Sequence, residues 1–271
     1  MNLLRLFTVC TFVMIGSVAI AHELWVEPLA YQVDTGKPVF ADIRNGQDFK
    51  GTDLAFFEKR NTRMDAVFGD KVTTIPGRMG DSPAIQFDAP ESEGLLVIAH
   101  EAAPSNITYS EWEKFLAFAK HKDFPLAAAD HKAAGWSMEK FTERYTRHAK
   151  ALIAVGDGEG ADRELGLEVE FVALTNPYAD GFDGQMQVAL FYQGAPLPDA
   201  QVEVFDRAPD QSVSVTLHRT GADGQATIPV DDAHTYLFDH VVLRPSLDAG
   251  ETPKSPVWET LWAALTFAVP Q

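Results

Sequence analysis

The sequence predicts a mainly β protein with two β-sandwich-like domains in tandem and a short helical segment between them or inserted in the first. Three observations predict this class. Short stretches of alternating apolar and polar residues are separated by turn-forming Gly, Asn and Asp over most of the chain. Residues 94–99 are continuously apolar, as in a central strand buried on both faces. Hydrophobic residues make up 46% of the 271 residues, enough for large cores.

The first 21 residues predict a secretory signal peptide that is not part of the fold. Arg5 gives a weakly positive start, an almost continuous apolar stretch follows, and Ala19-Ile20-Ala21 matches the small-x-small pattern of a signal peptidase site. An uncleaved membrane anchor is the alternative, but the apolar run is short against the roughly 20 residues that a spanning helix needs. We therefore expect cleavage after Ala21, a periplasmic location and no transmembrane segment in the mature chain.

Cleavage after Ala21 makes His22 the first residue of the mature chain. A terminal histidine offers its α-amine and an imidazole nitrogen to the same ion, and one more histidine would complete the three-nitrogen arrangement called a histidine brace. The apolar Leu24, Trp25 and Val26 predict a strand that orders this terminus. Imidazole is a suitable ligand for Cu, Ni, Zn and Co. The sequence therefore predicts His22 as a metal ligand.

The first domain is predicted over residues 22–160 and contains a helical segment at about 108–153. Its predicted strands before the buried run cover residues 30–33, 39–43, 53–57 and 84–87. Ser110 is expected to cap one helix. Ser137 is expected to cap a second, which would carry Met138, Phe141, Tyr145 and His148 at helical spacing. The segment between the two helices is predicted to be a loop or irregular.

The second domain is predicted over residues 161–271 and follows a Gly- and Asp-rich linker at residues 156–160. Alternation is clear from Leu165 to Phe171, and Ala222-Asp223-Gly224 is typical of a hairpin turn. About seven short strands over this length are typical of an immunoglobulin-like sandwich.

Composition and motifs exclude several classes of function. The net charge is −17, which argues against nucleic acid or anionic lipid as a partner. The only cysteine, Cys10, lies in the predicted signal peptide, so a metal in the mature chain would need nitrogen or oxygen ligands. We find no phosphate-binding glycine loop, no nucleophile elbow and no HExxH motif. The sequence therefore favours a binding protein over an enzyme.

Two further histidines are candidates to complete a site with His22. His100 follows the buried apolar run, and His240 shares a predicted strand face with Tyr236 and Phe238. Both positions are also compatible with an ordinary core histidine. His121 and His131 lie in a polar region and are expected to be solvated.

Several segments in the same order resemble one family, the domain-of-unknown-function family 4198, whose members are often described as periplasmic components of cobalt or nickel uptake. The matching segments are AHELWVEP at 21–28, RNGQDFKG at 44–51, RYTRHAK at 144–150, LGLEVE at 165–170, TNPY at 175–178, LFYQGAPL at 190–197, ADG at 222–224 and WETLWAALTF at 258–267. The resemblance implies a β-rich periplasmic protein that handles a divalent metal, with His22 at a characteristic position. Within the last segment, Glu259 is a candidate ligand, a partner that orients an imidazole, or a surface residue.

Our first functional hypothesis is a periplasmic metal-binding protein that assists the uptake of nickel, cobalt or copper and passes the ion to a membrane transporter or receptor. The predicted ligands are His22, His100, His240 and Glu259. Copper is favoured at an all-nitrogen site by the Irving–Williams order, while the resemblance favours nickel or cobalt. The alternatives are a copper histidine-brace oxidase or oxygenase, and a metal-free β-sandwich interaction module.

Overall fold

The computed structural model describes residues 22–252 and 254–271. The predicted signal peptide, with its cleavage site and Cys10, lies outside the described residues. The chain forms strands over most of its length, so the prediction of a mainly β protein is confirmed.

The strands are numbered in chain order. They are β1 Glu23–Pro28, β2 Gln32–Val33, β3 Pro38–Gln47, β4 Lys50–Leu54, β5 Asn61–Phe68, β6 Lys71–Thr74, β7 Ile85–Asp88, β8 Gly94–Ala102, β9 Ser105–Tyr109, β10 Phe141–Val155, β11 Val169–Ala173, β12 Gln185–Tyr192, β13 Ala195–Pro196, β14 Gln201–Arg207, β15 Val213–Arg219, β16 Gln225–Pro229, β17 Thr235–Pro245 and β18 Trp258–Ala268. Two helices, α1 Trp112–His121 and α2 Ala127–Ala133, lie between β9 and β10. A single 3₁₀ turn, Glu58–Arg60, precedes β5.

Three sheets are formed in the described part of the chain. A large sheet of ten strands runs in the order β15-β14-β17-β18-β10-β8-β5-β6, with β2 and β9 also paired to β10. A first small sheet contains β1, β3, β4 and β7, and a second contains β11, β12, β13 and β16. The long strand β10 is parallel to β18 and antiparallel to β8, so it is the centre of the large sheet.

The two small sheets cover opposite faces of the large sheet. Side chains alternate between faces along a strand, and β10 shows this in its two cores. Leu152 packs in the core beneath the second small sheet, with Phe171 and Leu190. Its neighbour Ile153 packs in the core beneath the first small sheet, with Val26 and Ile43 of β1 and β3. The architecture is therefore a three-layer arrangement of β-sheets.

The predicted domain boundary near residue 160 falls between β10 and β11, yet the large sheet continues across it. β18 and β17 from the C-terminal half extend the same hydrogen-bonded sheet as β10, β8 and β5 from the N-terminal half. Residues Glu143–Ala151 of β10 pair in register with Trp258–Thr266 of β18. The two predicted regions therefore share one sheet.

The second predicted helix is wrong. The residues that seemed to follow helical spacing from Phe141 to His148 form the beginning of β10. The segment predicted to be irregular instead contains α2. The first predicted helix is confirmed as α1, although Glu111 and not Ser110 occupies its N-cap.

The helices pack over one end of the large sheet, on the face that also carries the first small sheet. Phe115 and Phe118 of α1 are fully buried against Trp258 and Trp262 of β18. The expectation that His131 is solvated is wrong, because its ring is buried and Nδ1 accepts a hydrogen bond of 3.0 Å from the Trp258 indole. Neither helix of the described chain is long and apolar enough to cross a membrane.

Candidate functional site

A pocket of about 600 Å³ lies where the first small sheet meets the large sheet. Leu24, Ile43 and Leu54 from the small sheet form one wall. The opposite wall comes from β8, β10 and β18, and the connection between β8 and β9 closes one side. Both His22 and His100 line this pocket. The structure therefore brings together two of the four predicted ligands.

The polar floor of the pocket comes from the first part of β10. Glu143, Tyr145 and Arg147 alternate along the strand, so all three side chains lie on the face that the first small sheet covers. Sequence reasoning missed these residues because the segment was interpreted as a helix. The sequence did contain a signal for a strand, because the same residues that fit a helical spacing also fit the two-residue alternation of a strand.

The His100 ring is buried and has one free nitrogen. Its residue is 1% exposed, and Nε2 lies 2.7 Å from Oδ1 of Asn61. An amide oxygen only accepts, so the His100 proton is on Nε2 and Nδ1 carries a lone pair. This Nδ1 has no hydrogen-bond partner in the described part of the chain. Burial lowers the pKa of His100 to about 4, helped by the nearby His148, so the ring is neutral at neutral pH.

The backbone at His22 is fixed from two directions, although its side chain is exposed. The Arg147 guanidinium donates a hydrogen bond of 2.8 Å to the His22 carbonyl. The Asn45 amide donates a hydrogen bond of 2.9 Å to the carbonyl of Glu23. Pairing of β1 with β3 begins at Glu23, opposite Gly46. These contacts hold the start of β1 at the pocket, as the apolar sequence after His22 predicts.

Arg147 is held by aromatic rings as well as by the His22 carbonyl. Its guanidinium carbon lies 4.2 Å from the Tyr145 ring centre and 5.6 Å from that of Trp262. These are favourable cation–π distances. The Nε atom of Arg147 is buried without a hydrogen-bond partner among the residues the structure describes. The guanidinium therefore has one donor that no residue of the described chain satisfies.

Glu143 is fully buried beneath the pocket and accepts two hydrogen bonds. The donors are the Thr260 hydroxyl at 2.5 Å and the Tyr109 hydroxyl at 3.1 Å. Burial raises the pKa of Glu143 to about 7, against the opposing effect of these hydrogen bonds and of Arg147. Its carboxyl group can therefore exchange a proton near neutral pH.

The structure separates the other two predicted ligands from this pocket. His240 lies on β17 and shares a face with Phe238, which packs in the core beneath the second small sheet. Its Nδ1 donates a hydrogen bond of 2.8 Å to the Gln201 carbonyl. Glu259 has its neighbour Leu261 in that same core and forms an ion pair of 2.7 Å with Arg244. The prediction that His240 and Glu259 join His22 is therefore wrong, because alternation directs them to the opposite face of the large sheet.

Two clusters of potential metal ligands occur elsewhere in the described residues. One contains Asp206, Asp231 and His234, and the other contains the fully buried Glu23, Glu203 and Asp239. Neither His22 nor His100 belongs to a group of three ligand atoms this close together. The side chains alone therefore present His100 and His22 as separate nitrogen donors, to which a free terminal amine would be added.

The buried acidic cluster already holds a cation of its own. Lys122 Nζ lies 3.2 Å from Glu23, 2.5 Å from Glu203 and 2.9 Å from Asp239. Burial opposes the charge on the ammonium, but the three carboxylates outweigh it and raise the pKa of Lys122 above its ordinary value. This cluster is therefore an internal ion network with its central position filled.

Comparison with known proteins identifies the family of this chain but no relative of known function. The family model described as a domain of unknown function, DUF4198, matches residues 19–243. No curated protein matches the chain. A tetra-tandem repeat from the extending region of a large adhesion protein is 11% identical, with a TM-score of 0.25 over 91% of this chain and 49% of its own. The D0-D1 domain of intimin is 10% identical, with a TM-score of 0.19 over 90% of this chain and 97% of its own.

The chain thus spans about half the length of the adhesion repeat that it matches. At such scores, neither structure carries an argument about the function of this protein.

Proposed function

The chain belongs to the DUF4198 family, and from the chemistry of its histidine pocket we propose that it is an exported binding protein for a late transition-metal ion such as nickel, cobalt or copper. The observation that carries this proposal is the unpartnered Nδ1 of His100, in the pocket that His22 also lines. A buried nitrogen without a hydrogen-bond partner is rare, and it is explained when the nitrogen has a ligand to bind.

The donor set suits the proposed ions. A neutral imidazole nitrogen is a preferred ligand for nickel, copper, cobalt and zinc. The low pKa of His100, which is caused by burial, keeps that nitrogen free of a proton over the whole physiological range. The hydrogen bond from Nε2 to Asn61 fixes the ring orientation, as outer partners do for metal-bound histidines.

His22 supplies the remaining nitrogens in this proposal. After removal of residues 1–21, its α-amine and imidazole can chelate one ion together. Arg147 and Asn45 support this role because they hold the carbonyl groups of the first two peptide bonds after His22. An ordered terminus loses less conformational entropy when it binds an ion than a frayed one would.

In this proposal the protein works as a carrier. It would capture the ion in the periplasm and pass it to a membrane transporter or receptor. The net charge of −17 favours the approach of cations to the protein as a whole. The exposure of His22 supports release, because the ion can leave through the open side of the pocket.

The test compares the mature chain that begins at His22 with a variant that carries one additional glycine before it. Affinity for Ni²⁺, Co²⁺ and Cu²⁺ is measured by calorimetry in a non-chelating buffer. The extension moves the α-amine away from the imidazole and removes their six-membered chelate, so we expect the affinity to fall by roughly 100-fold, equivalent to about 2.7 kcal/mol. The thermal midpoint of the apoprotein serves as the control for folding and should be unchanged.

Equal affinity of the two chains would reject His22 as the chelating residue. Mass spectrometry of the exported protein provides an independent check. A mature chain that begins at another residue would also contradict the proposal.

A further inference from the structure

We propose that the ion enters this pocket as a chelate with a small organic polycarboxylate, and not as a bare cation. The inference rests on the proposed metal-binding function and specifies its ligand class. It comes from the size of the pocket, the charges that line it and the unpartnered groups of its basic side chains.

The pocket is much larger than an ion requires. Its volume is about 600 Å³, which is in the range of pockets for small organic molecules. A water molecule takes up roughly 30 Å³ in the liquid, so an ion with a few waters would leave most of this space unfilled. An organic chelator of several carboxylate groups fits the available volume.

The charge of the lining is the reverse of the charge of the whole protein. Lys59, Arg60 and Arg147 line the pocket, whereas Glu143 is the only carboxylate among the described residues that line it. Glu143 is in addition partly protonated near neutral pH. A protein with a net charge of −17 thus presents a basic pocket, which repels a bare divalent cation and attracts an anion.

The three basic side chains are available for a ligand. In residues 22–252 and 254–271, none of Lys59, Arg60 and Arg147 lies within 4.0 Å of a carboxylate oxygen in an ion pair. Arg147 is 9% exposed and its Nε has no hydrogen-bond partner in the same residues. Guanidinium groups recognise carboxylates through paired N–H donors. Asn106 and Ser105 add neutral polar groups to the same wall.

These features divide the ligand between two sets of residues. His22 and His100 provide nitrogen donors for the metal, and the three basic side chains bind carboxylate oxygens that point away from it. The chelate carries a net negative charge, so it does not meet the repulsion that a bare ion meets.

The experiment titrates the mature protein with three probes: Ni²⁺ alone, citrate alone and the equimolar nickel–citrate complex. We expect nickel–citrate to bind more tightly than either component by roughly tenfold or more. The double variant Lys59→Gln, Arg60→Gln should lower the affinity for nickel–citrate by roughly tenfold and should not weaken binding of Ni²⁺ alone. The matched control, Lys71→Gln with Lys132→Gln, removes two exposed lysines outside the pocket and should leave all three affinities unchanged.

Lys59 and Arg60 are exposed, so the double variant should fold. If Ni²⁺ alone binds as tightly as nickel–citrate and the double variant has no effect, the chelate inference fails while the proposed function stands. If citrate alone binds as tightly as the complex, the metal is not part of the ligand and the chelate inference also fails. If neither nickel nor its complex binds, the proposed function fails with it.

Discussion

Glu23, the first residue of β1, and His22 just before it belong to two adjacent polar sites that differ in whether they already hold a cation. Glu23 enters a buried cluster in which three carboxylates surround the ammonium of Lys122. His22 lies in the pocket with His100, where a buried imidazole nitrogen has no partner in the described chain. The two sites are adjacent, because Lys122 Nζ and the Arg147 guanidinium both lie near the ring of Trp262, Nζ at 4.9 Å from its centre. The cluster with the better geometry for a cation thus contains its own cation, and the pocket beside it does not.

This comparison shows that ligand geometry alone is a poor guide to a metal site. The three carboxylates of the cluster lie close enough together to hold a metal, yet the ammonium of Lys122 already occupies the position between them. In the pocket no such group of side chains is formed, but the lone pair of His100 Nδ1 has no partner in the described residues and the basic side chains are not in ion pairs. Unsatisfied atoms do not separate the two sites, since Glu23 Oε2 and Asp239 Oδ1 of the cluster also lack a hydrogen-bond partner in the described residues. The difference lies in the cation that the cluster already holds.

The largest expected effect is a loss of stability when the buried acidic cluster loses its cation. Replacing Lys122 by Met leaves three buried carboxylates without a cation, and we expect a loss of about 3–5 kcal/mol in the free energy of unfolding in urea. Lys120→Met, at an exposed position in the last turn of α1 two residues before Lys122, is the control and should change stability by less than about 0.5 kcal/mol. Addition of Mn²⁺ should recover part of the loss, because the vacated cluster retains oxygen ligands.

A loss below about 1 kcal/mol in Lys122→Met would contradict the view that this network needs its internal cation. It would also remove the contrast between the two sites.

A smaller effect is expected from Glu143, which shares with Glu23 a pKa that burial raises to about 7. The ordinary pKa of Glu143 is 4.5, so between pH 4.5 and 7 the folded protein holds a proton that the unfolded chain releases. The stability that Glu143 contributes is complete below pH 4.5 and is lost as the pH rises through 7. Glu143→Gln cannot ionise, so its stability relative to wild type should increase by about 2–3 kcal/mol between pH 5 and pH 8.

Urea unfolding at the two pH values measures this change. Glu113→Gln, an exposed carboxyl on α1, is the control and should show no such pH dependence. A constant difference between Glu143→Gln and wild type would show that the pocket floor is ionised at both pH values.

The smallest effect concerns the orientation of His100. Asn61→Ala removes the acceptor of the His100 Nε2 proton, and we expect a roughly tenfold loss of nickel affinity, as is typical for outer partners of metal-bound histidines. Asn61→Asp keeps an oxygen acceptor and should retain the affinity of the wild type. Calorimetric titration of both variants tests the contribution of this hydrogen bond, and equal losses in the two variants would contradict it.

The sequence predicted the local features of the molecule better than its long-range pairings. The alternation before and after residue 160 gave the mainly β class, and the apolar residues 94–99 lie in β8 as expected. His100 was a candidate because it follows that buried run, and the structure places it in the lining of the pocket. The parallel pairing of β10 with β18 joins residues more than a hundred positions apart, and no local pattern predicts it.

The wrong prediction for β10 explains why the polar floor of the pocket was missed. Phe141, Tyr145 and His148 satisfy a helical spacing, while Glu143 and Arg147 fit the alternation of a strand. The rest of β10 is buried on both faces, so its apolar run has no period that separates strand from helix. His240 was selected for its aromatic neighbours and Glu259 for its place in the last segment that resembles the family, but the face to which each side chain points depends on sheet packing.

The long separation of the strands has a consequence for how the protein matures. The Thr266 hydroxyl donates a hydrogen bond of 2.5 Å to the carbonyl of Val26, so β18 fastens β1 across 240 positions of sequence. Trp262 of the same strand forms part of the pocket. The pocket therefore cannot form before residues 258–268 are present, and its formation requires the slow closing of a very long loop. If the protein is exported and binds a metal as we propose, the ion is bound only after this last strand has joined the large sheet.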